Sequence, residues 1–190
     1  METGGLDARR CALLEVGLLA VREGQPIAKW HTRVVPWAGL DVDVQAAAVN
    51  GYSPAWGGAE EGDVLRGVVA FLGWFRASLK RKHLAWIGAN VPFDRGFLSA
   101  AAERQGVARD LAACFSHRDV DVARIAVVPY LLGELPGIGL DVLRRDLLGR
   151  PPRGVHSAIE DCEETLDCLQ ALVDRLRWVP FAGQEGGDRS

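Results

Sequence analysis

The sequence contains no run of 18 or more apolar residues, so it predicts no membrane-spanning helix. Its first residues are acidic and glycine-rich rather than basic and then apolar, so we expect no secretory signal. Cysteine is scarce and is not arranged as CxxC pairs or at zinc-ligand spacing; the four residues are Cys11, Cys114, Cys162 and Cys168. This pattern gives no support for a zinc site and favours reduced thiols in a cytoplasmic protein.

Lysine is also scarce, because Lys29, Lys80 and Lys82 are the only lysines in a chain whose basic residues are mostly arginine. The net charge of −3 therefore gives no general basic signature of a nucleic-acid-binding protein. An acidic metal site would, however, hide local basic surface in a net count, so the charge leaves that function open.

The composition is that of one globular domain. The chain has 190 residues, of which 48% are hydrophobic and 25% are charged, which is enough for a sizeable core. No internal repeat or linker interrupts it. We expect a domain over residues 1–182 and a disordered tail over the polar, glycine-rich residues 183–190.

The spacing of apolar residues predicts an α/β order. Ala12–Val21 and Ile27–Val35 are expected to pair as a hairpin, and Leu84–Gly88 is expected to be a buried strand. Val120–Leu132 is expected to contain a short strand or the start of a helix. Helices are predicted at Val44–Val49, Glu60–Lys82, Phe93–Gln105, Leu140–Leu148 and Ser157–Trp178.

Three distant segments place acidic residues beside unusual glycine or aromatic residues. They are Glu2–Leu6, Gly88–Asp94 and His156–Asp161. Carboxylates that converge from separate segments are typical of sites for divalent cations such as Mg²⁺. Carboxylates are the side chains that hold such hard cations. Glu2, Asp94 and Asp161 are therefore candidate metal ligands.

Each segment also has an ordinary structural interpretation. Asp94 alone could cap the following helix, a role worth about 1 kcal/mol. His156 alone could be a surface loop histidine, and Thr3–Gly5 could be any turn. The acidic residues around Asp161 could form a solvated first turn that the helix dipole favours.

Taken in order, the three segments resemble the Exo I, Exo II and Exo III motifs of the DEDDh (DnaQ-like) 3′–5′ exonucleases. The intervening sequence matches as well: Cys11–Gly17 resembles the strand after the first motif, Ala48–Tyr52 the loop that closes over the terminal nucleotide, and Val120–Arg124 the segment before the third motif. This co-occurrence favours the metal-site interpretation. Within the family, Phe93–Leu98 and the alanine-rich residues after it are most similar to ribonuclease T-like exonucleases.

The resemblance implies a ribonuclease H-like exonuclease fold, an α/β fold with a mixed central sheet flanked by helices. It also implies a site for two Mg²⁺ or Mn²⁺ ions. Glu2 and Asp161 would bind the ion shared with the attacking water, Asp94 would help to orient it through solvent, and His156 would act as general base.

The substrate implied by the resemblance is the 3′ end of single-stranded DNA or RNA. The partner could be a second copy of the chain or a polymerase. Of the base-stacking positions Leu6, Val49 and Phe93, only Phe93 is aromatic, so the base preference should differ from that of relatives. The full set of expected substrate contacts is Thr3, Gly4, Leu6, Val49, Asn50, Asn90 and Phe93.

One family carboxylate has no counterpart here. The first motif is normally Asp-x-Glu, whereas Glu2 follows directly after Met1. The family's first strand, which lies in mid-sheet beside Leu84–Gly88, has no counterpart either, and its loss would expose unpaired backbone on two neighbours. We expect either a gene model that omits the strand or a natural loss. The alternative function is then a catalytically impaired nucleic-acid-binding module or fragment.

Overall fold

The computed structural model describes residues 1–151 and 153–177. The predicted tail at 183–190, the domain end at 182 and the predicted helix end at Trp178 lie outside these residues. Strands and helices form a mixed α/β arrangement that is compatible with a ribonuclease H-like fold. Among the described helices, none combines the length and the apolar character that crossing a bilayer requires.

In the described part of the chain, six strands form two sheets. They are β1 (Glu2–Thr3), β2 (Leu13–Arg22), β3 (Gln25–Val35), β4 (Ala59–Glu60), β5 (Leu84–Gly88) and β6 (Phe115–Asp121). The first sheet has the order β1-β2-β3-β4, with β4 parallel to β3 and the other pairs antiparallel, and the second is the parallel pair β5-β6. The predicted hairpin and the strand over Leu84–Gly88 are confirmed.

Seven helices occur in the described residues: α1 (Val44–Asn50), α2 (Glu61–Ser78), α3 (Val91–Arg104), α4 (Ala108–Ala112), α5 (Val122–Leu131), α6 (Leu140–Leu148) and α7 (Ala158–Arg177). The five predicted helices are therefore present. The predicted end of α2 at Lys82 is wrong, because Lys80 has a left-handed backbone with φ of 50°. Val120–Leu132 contains the end of β6 and the whole of α5.

The two faces of β3 carry different side chains and different helices. Trp30 faces α2, where a Cβ atom added to Gly67 would lie 2.8 Å from its ring. Lys29 and His31 point to the opposite face, where Lys29 Nζ lies 3.3 Å from Glu163 of α7. Because side chains alternate along a strand, α2 and α7 cover opposite faces of the sheet.

The start of α7 lies directly on β2. A Cβ atom on Gly17 would lie 2.6 Å from the carbonyl carbon and oxygen of Ala158. Only glycine allows this close approach. Gly17 therefore fixes where the segment before α7 and its first turn lie above the sheet.

An apolar crevice of about 290 Å³ separates the two sheets. Residues 17–21 of β2 line one side of it and residues 84–88 of β5 line the other. Within the described part of the chain, β5 pairs only with β6, and β2 beyond Glu15 pairs only with β3. Both strands thus turn a backbone edge without a strand partner toward the crevice.

Candidate active site

Three predicted site residues come together at one end of the crevice. Glu2 lies on β1, Asp161 in the first turn of α7, and His156 in the segment before that helix. One potential ligand atom from each lies within 4.8 Å of the other two. Two carboxylates and an imidazole from distant parts of the chain thus form a group that could hold a divalent cation.

Asp94 lies beside this group, in the first turn of α3. The residue that caps α3 is Asn90, so the interpretation of Asp94 as the helix cap is wrong. Asp94 Oδ1 is 3.4 Å from the amino nitrogen of Met1. That ammonium group interacts electrostatically with Asp94 and also with Glu2 and Asp161. All three predicted carboxylates are thus within electrostatic range of this one amino group.

The histidine segment is held by the C-terminal end of α1 and by the glycine that caps it. The backbone N–H of His156 donates to the carbonyl of Val49 at 3.1 Å, and Val155 packs against Gly51, which has a left-handed φ of 68°. Nδ1 of His156 lies 3.6 Å from Oδ2 of Asp161. The His156 side chain is 29% exposed, so solvent reaches its ring.

Asn50 holds β1 in place. Its side-chain amide donates to the carbonyl of Thr3 at 2.9 Å, and the residue is buried. The hydroxyl of Thr3 donates to the carbonyl of Gly5, and the N–H of Gly4 donates to the carbonyl of Ala12. Asn50, Thr3 and Gly4 therefore form the support that carries Glu2.

The other expected substrate contacts differ in exposure. Leu6 is 88% exposed and Val49 is 47% exposed. Phe93 lines the crevice and its ring centroid lies 4.9 Å from that of Phe97. Asn90 also lines the crevice, at the start of α3. Phe93 and Asn90 share this crevice with Asp94 and Asp161.

Glu15 is a buried carboxylate at the site that the sequence analysis did not single out. It lies opposite Glu2 in the β1–β2 pairing and is 3% exposed. Its Oε1 accepts hydrogen bonds from the N–H of Ala158 at 3.2 Å and from the hydroxyl of Ser157 at 3.3 Å, and it contacts His31 Nε2. A charged residue inside an apolar strand was the signal that could have identified it, since such groups are rarely buried without partners.

Arg153 is the second residue that was missed. Its guanidinium lies 2.9 Å from Asp161 Oδ1 and 2.6 Å from Glu164 Oε1. Glu164 is also paired with the buried Arg144 at 2.7 Å. Arg153 therefore ties the segment before His156 to the first turns of α7. An arginine three positions before the histidine was the only signal in the sequence.

The carboxylates crowd one another in a poorly solvated place. Burial, reinforced by the negative charges of Asp161 and Glu15 and opposed by the Met1 ammonium, raises the pKa of Glu2 to about 8. Burial also raises the pKa of Asp161, against the effects of His156, the Met1 ammonium and Arg153. Burial is likewise the main cause of the raised pKa of Asp94. Such a group is stabilised by a bound cation.

Comparison with known proteins supports a nuclease. The chain is 26% identical to ribonuclease T of Haemophilus influenzae (strain PittEE) over 189 residues, which cover 93% of this chain and 78% of that protein. It is 27% identical to ribonuclease T of Klebsiella pneumoniae, over 96% of this chain and 85% of that protein. It is 29% identical to ribonuclease T of Shewanella frigidimarina, over 96% of this chain and 83% of that protein. No protein-family model matches the chain. The similarity to ribonuclease T supports a relationship with the DnaQ-like exonucleases.

Proposed function

We propose that this protein is a 3′–5′ exonuclease that hydrolyses phosphodiester bonds at the 3′ ends of single-stranded DNA or RNA. The observation that carries the proposal is the convergence of Glu2, His156 and Asp161 from three separate elements. The similarity to ribonuclease T supports the same reaction class.

We propose that the site holds two Mg²⁺ or Mn²⁺ ions. Glu2 offers a buried carboxylate and Asp161 a partly buried one; hard divalent cations prefer such oxygen ligands, and the two would hold one ion together. Asp94, which lines the same crevice as Asp161, would help to position the second. When bound, the ions would supply charge stabilisation at the phosphate and make a bound water more acidic.

His156 is assigned as the general base. A base must be neutral to accept a proton, and its exposed ring can reach a water beside the carboxylates. Once His156 is protonated, the nearby Asp161 carboxylate stabilises its positive charge. Val49 and Arg153 hold the segment that carries the ring, through the backbone bond and the ion pairs described above.

We further infer that an additional strand belongs in the crevice between β2 and β5. The support is the pair of strand edges that face each other across about 290 Å³ of mostly apolar space. A strand there would join the two sheets into one. It would also run toward Glu2, where it could supply the fourth carboxylate of the site. Reading the genomic DNA upstream of Met1 for a segment that ends in Asp-x before Glu2 tests this part of the proposal.

The reaction is tested with single strands labelled at the 5′ end. The proposal predicts stepwise shortening from the 3′ end in Mg²⁺ or Mn²⁺ and no shortening in EDTA. A strand with a blocked 3′ end should persist, whereas a blocked 5′ end should make no difference. Internal cleavage, or degradation that continues in EDTA, would refute the assignment. Parallel reactions on DNA and RNA of the same sequence identify the preferred sugar.

A further inference from the structure

A second cluster of chemically distinctive side chains lies outside the carboxylate site. The guanidinium carbon of Arg33 lies 4.2 Å from the ring centroid of Trp56. The Trp56 and Tyr52 rings are 5.7 Å apart and tilted by 47°. Arg33 is exposed and both rings are partly exposed, so the cluster is open to solvent. We call Arg33, Tyr52 and Trp56 the Arg33 cluster.

The Arg33 cluster lies on the same face of the sheet as the carboxylate site. Glu2 is opposite Glu15, and Glu15 is opposite Arg33, so the three residues form one row across β1, β2 and β3. Directly opposite residues in antiparallel strands point to the same face. Neighbouring strands are about 4.8 Å apart, which puts the Arg33 backbone about 10 Å from that of Glu2.

The loop that carries the two rings also starts at the site. Tyr52 and Trp56 follow Asn50, whose amide bonds Thr3 next to Glu2. At the far end of this loop, a Cβ atom on Gly58 would lie 2.9 Å from the Arg33 backbone. The loop therefore runs from the carboxylate site to the edge of β3.

Arg33 retains most of its hydrogen-bonding capacity. Among residues 1–151 and 153–177, no carboxylate forms an ion pair with it, in contrast to Arg153 at the carboxylate site. The hydrogen bond that its side chain donates within the described residues is a long one, 3.5 Å from Nη1 to the carbonyl of Trp56. The guanidinium can therefore stack on the indole and still donate to a phosphate.

We propose that the Arg33 cluster binds a single strand upstream of its two 3′-terminal nucleotides, at the third nucleotide from the 3′ end or beyond. Arg33 would contact a backbone phosphate, and the exposed ring surface of Tyr52 or Trp56 would stack on a base. Ions at the carboxylate site would bind the scissile phosphate, whereas phosphates farther upstream need a cationic contact of their own, and Arg33 provides one on the same face. This inference rests on the proposed function.

The inference makes a prediction about substrate length. A dinucleotide occupies the carboxylate site without extending to the Arg33 cluster, whereas a hexanucleotide is long enough to reach both. Stacking of one base on an aromatic ring is worth about 1–3 kcal/mol, so losing it lowers affinity by about 5- to 150-fold. The cluster should therefore affect long substrates and leave short ones unchanged.

The test compares Trp56→Ala and Arg33→Ala with the unmodified protein on a dinucleotide and a hexanucleotide. We expect kcat/KM on the hexanucleotide to fall about tenfold in each variant, through KM, with the dinucleotide unchanged within about twofold. Trp74→Ala is the matched control, because Trp74 is half exposed on α2, which covers the opposite face. Trp56→Phe keeps a ring and should retain most of the activity on the long substrate.

Equal losses on both lengths, or no loss on the hexanucleotide, would overturn the inference. If the unmodified protein hydrolyses neither substrate, the proposed function has failed, and anisotropy of a labelled hexanucleotide then decides separately about the cluster. In that case Arg33→Ala and Trp56→Ala must weaken binding and Trp74→Ala must not. Thermal unfolding of all variants identifies any that fail to fold, and Arg33→Lys and Trp56→Phe then replace them.

Discussion

Replacing Glu2 by glutamine should make the metal-free protein more stable at pH 8. Glutamine has the shape of a protonated glutamate but carries no charge at any pH. Burial and the neighbouring carboxylates raise the pKa of Glu2 from 4.5 to about 8, so the folded protein resists ionisation of this side chain. The unfolded chain ionises it near pH 4.5, and the unmodified protein therefore loses stability as the pH rises from about 4.5 to 8.

The size of this effect follows from the pKa. Each pKa unit corresponds to about 1.36 kcal/mol. The shift of the Glu2 pKa from 4.5 to about 8 therefore limits the increase in the free energy of unfolding to about 5 kcal/mol. The negative charge of Asp161 contributes to the raised pKa of Glu2, so the two carboxyl groups titrate together, and we expect about half of that limit. At pH 4 the two proteins should be nearly equal in stability, because Glu2 is then mostly protonated in both states.

Urea unfolding in EDTA at several pH values between 4 and 8.5 measures the difference directly. The free energy of unfolding of Glu2→Gln minus that of the unmodified protein should grow with pH and level off above about pH 8. Adding Mn²⁺ at pH 8 should stabilise the unmodified protein more than the variant, since bound metal stabilises the carboxylate. Asp63→Asn, at an exposed site on α2, is the control. A difference that does not change with pH, or that favours the unmodified protein at pH 8 without metal, would refute the reasoning.

Two further perturbations separate catalysis from structure. His156→Ala should lower kcat by at least about 100-fold and remove the fall in rate at acid pH, while Asp161→Ala should weaken both catalysis and Mn²⁺ binding. Calorimetric titration with Mn²⁺ decides between these roles, since a large loss of affinity in His156→Ala would make the histidine a metal ligand. Gly17→Ala should destabilise the protein by about 1–3 kcal/mol, because its Cβ would lie 2.6 Å from Ala158, and an unchanged unfolding midpoint would contradict this.

Local patterns were sufficient for most of the elements. The apolar run from Ala12 predicted both ends of β2 to within one residue. Gly149 predicted the end of α6 at the residue before it. The start of β6 was missed because Phe115–Asp121 is mostly polar and only partly buried, so it has no apolar run. The five-residue α4 was missed because it is too short to show a helical period. Short and polar elements depend on tertiary contacts that spacing along the chain does not record.

In the candidate site, too, some residues could be predicted from the sequence and others depend on tertiary contacts. Glu2, Asp94, His156 and Asp161 were identified through family motifs, and no spacing within the chain would have indicated that Glu2 and Asp161 are neighbours. Glu15 and Arg153 act through partners far along the chain: Glu15 bonds Ala158, 143 positions away, and Arg153 pairs with Asp161. Partners of this kind are visible only after α7 has been placed on β2.

The central claim is that the carboxylates gathered around Glu2 form a divalent-metal site for removal of 3′ nucleotides. Its most direct test is the rate of Mg²⁺-dependent 3′ shortening in Asp94→Ala and Asp161→Ala, measured beside Asp63→Ala. The account predicts that both site variants lose nearly all activity while Asp63→Ala keeps the rate of the unmodified protein. Undiminished shortening by Asp161→Ala, in a folded protein and with the same dependence on Mg²⁺, would contradict it.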